Sequence, residues 1–142
     1  MKEGSKSVQR SFRLSRRTME LLEAAVATGA ESRNAMADRL LGEALRLERH
    51  PLIRFHSGAR GRRQPLVVGT RLYVHQVVAT LRAHRGDVDG TAAYLDLSPR
   101  LVRAAIEYYS EFTDEVDEDA RVAAEIEQDE RGRWERQQRA LA

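Results

Sequence analysis

The sequence predicts a mainly α-helical chain with short β-hairpins, in three parts: a strand–helix–helix head, a small helix-turn-helix-like domain, and a helical C-terminal tail. Three observations carry this. Apolar residues recur at three and four residues over most of the 142 positions. Strict alternation appears at Val8–Leu14, and short runs of β-branched and apolar residues at Leu66–Val68 and Leu72–Val74. Charge is segregated: residues 1–63 hold 14 Lys and Arg against 7 Asp and Glu, whereas residues 111–142 hold 5 against 11. A basic head and an acidic tail point to different partners, a polyanion at one end and a different surface at the other.

Taken in order, residues 1–7 read as an arm carrying Lys2 and Lys6, with no apolar stretch of the kind a signal peptide needs. Val8, Phe12 and Leu14 share one face of a strand, and Gln9, Ser11 and Arg13 share the other. Ser15 is placed to cap a helix bearing Met19, Leu22, Ala25 and Val26, with Gly29 as a left-handed cap at its end. Ser32 caps a second helix with a stripe of Met36, Leu40, Leu41, Ala44, Leu45 and Leu47, ended by His50-Pro51. Residues 52–56 read as a strand, and 57–63, rich in glycine and arginine, as a solvated turn, with a basic finger on DNA as the alternative. Leu66–Val68 and Leu72–Val74 are expected to pair as a hairpin around Gly69-Thr70-Arg71.

Beyond Val74 the period becomes helical, with Val77, Val78 and Leu81 on one side and a stop at Gly86. Asp87 starts the next helix. Ser98 and Pro99 then occupy the N-cap and first position of another, whose stripe is Leu101, Val102, Ala105, Ile106 and Tyr109. Its other face carries Arg100, Arg103 and Glu107, and the corner reads as packing. Residues 113–142 begin with Asp114-Glu115-Val116-Asp117-Glu118-Asp119 and have a thin apolar stripe interrupted by Gly132. Such a segment is expected to be partly disordered until it meets a partner.

The head resembles the ribbon-helix-helix family, in which two chains pair their strands and interlock their helices. That resemblance implies a homodimer, because one copy has too little core to stand alone. A two-stranded ribbon fits the major groove, where Gln9, Ser11 and Arg13 are chemically suited to read base edges. Arg16, Arg17, Ser32 and Arg33 are placed for phosphate, the last two at a helix N-terminus.

Residues 51–112 resemble a small domain family of unknown function found widely among VapB-type antitoxins, with the signature G-x-P-V-I-x-G-T-R-I-x-V. Pro65, Val67, Gly69, Thr70, Arg71 and Val74 match. Leu66 and Leu72 are apolar substitutes, and Arg63 and Tyr73 depart from the usual glycine and proline. The resemblance implies an antitoxin of a bacterial toxin–antitoxin pair. Such a protein represses its own operator DNA and silences a PIN-like ribonuclease toxin with its downstream domain and tail. In the tail, guanidinium groups and an aromatic anchor make Arg131, Arg133, Trp134, Arg136 and Arg139 the candidate contacts. A transcription regulator without a toxin, and a protein–protein adaptor, are the alternatives.

Zero cysteines exclude disulfides and thiolate metal sites, and no apolar run reaches the length of a membrane helix. These features lead to the expectation of a cytoplasmic protein. His50, His56, His75 and His84 lack zinc spacing. No P-loop, dinucleotide fingerprint or nucleophile elbow appears, so neither enzymatic activity nor a cofactor is expected.

Overall fold

The computed structural model describes residues 6–142, which fall into two compact units divided between Gly42 and Glu43. The expected arm, with Lys2, lies outside the described residues except for Lys6 and Ser7. Among the described residues there are six α-helices and one two-stranded antiparallel hairpin.

In the first unit, α1 spans Arg16–Thr28, and α2 (Arg33–Arg49) begins there and continues into the second unit. Ser15 caps α1 as expected, its hydroxyl accepting from Thr18 N–H at 3.1 Å. Ser32 does the same for α2, accepting from Ala35 N–H at 3.1 Å. Gly29 ends α1 without a left-handed turn, at φ −105°. The space there is tight: a Cβ would stand 3.0 Å from Met36 Cε and 3.2 Å from the Ala25 carbonyl, so those neighbours would have to give by a few tenths of an ångström. The predicted strand over Val8–Leu14 is not formed in the single chain, and its backbone makes no backbone hydrogen bond among the described residues. A strand needs a second edge to satisfy its N–H and C=O groups, and this unit offers none.

The second unit is built on a hairpin laid against helices. Strands β1 (Ile53–Ser57) and β2 (Arg63–Val67) pair with Ile53 opposite Val67 and Phe55 opposite Pro65. The partner of the Leu66 run is therefore the 52–56 segment and not Leu72–Val74. That second run makes only an isolated bridge, Leu66 to Tyr73, before α3 (Val74–Ala83) begins. Gln76 explains the early helix: its Oε1 accepts from Tyr73 N–H at 2.9 Å, the reach-back half of a capping box.

The glycine turn is present nonetheless. Gly69 sits at φ +73°, Thr70 Oγ1 donates to the Val67 carbonyl at 2.8 Å and accepts from Leu72 N–H at 3.0 Å. Gly86, at φ +82°, donates to the Leu81 carbonyl and stops α3 in the predicted place. Asp87 caps α4 (Val88–Leu95) and Ser98 caps α5 (Pro99–Glu111), with Pro99 at its first turn.

The core joins Ile53 and Val67 of the hairpin to Val74, Val77 and Val78 of α3, Ala92 of α4, and Val102, Ala105 and Tyr108 of α5. Each fully buried valine contributes about 1.5–3 kcal/mol. The tail forms the expected helix, α6, continuous over Thr113–Leu141. Val116, Asp119 and Val122 bury its first half, while every residue from Arg133 onward is exposed. The acidic start favours the N-terminal end of the helix dipole, and Arg121–Glu125 and Glu127–Arg131 pairs run along its surface. Among the described residues no helix is long and apolar enough to cross a membrane.

Candidate nucleic-acid interface and partner arm

In the first unit the helices bury almost nothing of their own. Met36 is the one buried residue of its helical positions, and α1 has none. Phe12 is 74% exposed, Leu21 57% and Leu41 53%. With Leu14, Leu22, Ala37 and Leu40 they line an open apolar groove of about 670 Å³. Gln9, Ser11 and Arg13 of the same N-terminal segment are all exposed, with no side-chain hydrogen bond or ion pair among the described residues, and Arg13 borders the groove beside Phe12 and Leu14.

The residues expected at phosphate differ in availability. Arg16 is exposed and unpaired among the described residues, and Arg17 has only a 3.8 Å contact with Glu20. Arg33 is engaged by Glu23 through two hydrogen bonds, 2.6 and 2.9 Å, which hold the Glu23 carboxyl below its ordinary range. The side chain of Ser32 is committed to its own helix cap. At the start of α2, backbone amides are thus the free donors, and Arg33 would have to leave Glu23 to add its charge.

All but one of Pro65, Gly69, Thr70 and Arg71 have structural work in the second unit. Pro65 is buried across from Phe55, Gly69 and Thr70 form the turn, and Arg71 is exposed without an ion pair among the described residues. Pro65 also lines a cleft of about 390 Å³ between the hairpin, α5 and α6, together with Arg46, Arg62, Tyr108, Glu115 and Asp119. Two of its arginines are held by carboxylates of the same cleft. Arg46 lies 4.2 Å over the Phe112 ring, donates to Tyr108 Oη at 3.0 Å and pairs with Glu115. Arg62 donates to Asp119 at 2.8 Å. Burial pushes the Asp119 carboxyl above its ordinary value despite that bond, and burial lowers His75.

Sequence reasoning missed this network, and its partners lie 57 to 69 residues apart, beyond any local pattern. The arginine-rich turn, expected to be solvated, reaches α6: Arg60 meets Glu125 at 3.3 Å and Asp129 at 3.5 Å. His50, expected at the end of a helix and not as a ligand, is buried and bonded to Glu111 at 3.0 Å.

On the distal part of α6, Trp134 is 60% exposed. Arg131 has a single weak pair with Glu127 at 3.4 Å, while Arg133, Arg136 and Arg139 have none among the described residues. The arm thus presents an aromatic ring and uncompensated guanidinium groups together. Comparison of the chain with protein-family models, with curated proteins and with solved structures finds no match.

Proposed function

We propose that the chain is the antitoxin of a toxin–antitoxin pair, in which two copies join through the head, bind operator DNA as a ribbon-helix-helix repressor, and silence a PIN-like ribonuclease with the distal arm of α6. The observation that carries this reading is the uncovered apolar face of the first unit, beside a segment whose backbone is unpaired. A second copy satisfies both needs at once, since strand pairing would close the backbone and bring Phe12 and Leu14 under cover. Pairing would also set two copies of Gln9, Ser11 and Arg13 side by side, giving a ribbon with donor and acceptor groups on its outer face.

The arm favours an antitoxin over a stand-alone regulator. A PIN-like site gathers carboxylates, and guanidinium groups beside an aromatic anchor match it in charge and in hot-spot chemistry. The test is a pair of titrations with the full-length protein: its own upstream DNA by gel shift, and the nuclease encoded beside it by RNA cleavage. Both should respond at submicromolar protein. DNA binding with no effect on the nuclease would leave the stand-alone regulator, and no salt-dependent DNA binding would reject the reading of the head.

A further inference from the structure

The corner between α4 and α5 carries a charge that packing does not use. Arg100 and Arg103 sit three residues apart on one face of α5, both exposed, and neither guanidinium has a hydrogen bond or ion pair among the described residues. Arg46, Arg60, Arg62, Arg63 and Arg121 of the same unit are held by carboxylates, whereas Arg100 and Arg103, like Arg71 and the distal Arg133, Arg136 and Arg139 of α6, are not. Two cations near the start of a helix also oppose its dipole, so the fold gains nothing local from them.

Both arginines line a groove of about 280 Å³ with Arg49, at the end of α2, and with Leu52 and Ile53 ahead of the hairpin. Glu107 lines the groove one turn beyond Arg103, while Glu111 is taken up by Arg49 at 3.1 Å and His50 at 3.0 Å. The wall is net positive. Its backbone frame is two helices joined by the short Asp96–Ser98 connection, and the first turns of the second helix bury Val102 while leaving Arg100 and Arg103 exposed.

We propose that the Arg100–Arg103 face of α5, with Arg49 beside it, is a second contact of this protein with duplex DNA, made to the phosphate backbone and separate from the base-reading head. The proposal rests on the DNA-binding reading above. It adds sequence-independent affinity and leaves base choice to Gln9, Ser11 and Arg13.

The experiment measures binding of the full-length protein to an operator duplex and to a scrambled duplex across a salt series. The variants are Arg100→Ala/Arg103→Ala, Arg100→Lys/Arg103→Lys, and Arg121→Ala as a paired arginine elsewhere. The double alanine variant should lose about tenfold or more on both duplexes. Its salt slope should flatten by about 0.9 per phosphate contact removed. The lysine variant should restore most of the loss, and Arg121→Ala should match wild type. An unchanged slope in the double alanine variant, with wild type still binding, would overturn this contact and leave the head reading intact. A loss that lysine does not restore would mean that folding and not charge was disturbed, and would also overturn it. No salt-dependent binding by wild type would remove both readings.

Discussion

Replacing Phe12 by alanine isolates the demand for a second copy. An aromatic side chain covers about 150–250 Å² when fully buried, and Phe12 is 74% exposed in the single chain. Some three quarters of that area, about 110–185 Å², is available to be covered. At about 25 cal/mol per Å², this is roughly 3–4.5 kcal/mol per protomer, an upper figure because partial coverage is common. A symmetric dimer loses the contribution twice, so a loss of about 6 kcal/mol raises the dimer dissociation constant on the order of 10⁴-fold. Sedimentation velocity on the full-length protein reads this directly, with wild type dimeric and Phe12→Ala monomeric at micromolar concentration. Circular dichroism on the same samples should show most of the helix signal retained, since α3 to α6 have their own core. A wild-type monomer, or a variant dimer of unchanged strength, would refute the argument that this face is covered by a second copy.

Arg13→Ala should cost about 1–3 kcal/mol per half-site and relax preference at one base position, read by competition gel shifts against substituted operators. Trp134→Ala should weaken nuclease inhibition by about 2 kcal/mol, roughly 30-fold, in an RNA cleavage assay while DNA binding is unchanged. Asp119 gives a pH test. Its folded value lies above the ordinary 3.8, so its contribution to stability is fully present below 3.8 and is lost as pH rises through the folded value. Asp119→Asn, which keeps an oxygen for Arg62, should therefore gain stability relative to wild type on going from acid to neutral solution, measured by denaturant melts. A gap that stays constant with pH would mean that Asp119 is not penalised by burial.

Local chemistry was legible in the sequence. Ser15, Ser32, Asp87 and Ser98 cap helices where their side chains and spacing place them, because a cap is settled within three or four residues. The hairpin was legible only in part. Leu66–Val68 and Leu72–Val74 flank a true glycine turn, yet β2 pairs with β1, because Gln76 draws Tyr73 and Val74 into a helix start. Pairing between strands is a competition between edges, and alternation alone does not name the winner. The helical character of the tail was legible, but the thin apolar stripe gave no sign of the anchorage that Arg62 and Arg46 give its first turns. The unformed strand at Val8–Leu14 is the opposite case: its pattern is plain, and the edge it needs is missing from one chain.

The helix α6 has a mechanical consequence. From Val122, its last buried residue, to Trp134 is twelve residues, about 18 Å at 1.5 Å per residue. A body gripping the ring at that stand-off meets an already wound rod, so capture does not carry the entropy loss of winding it. It also acts at a length where free energies of substitution become additive. Changes at Trp134 and changes among Phe55, Pro65 and Tyr108 should therefore sum without a cross-term, letting the grip and the scaffold vary independently.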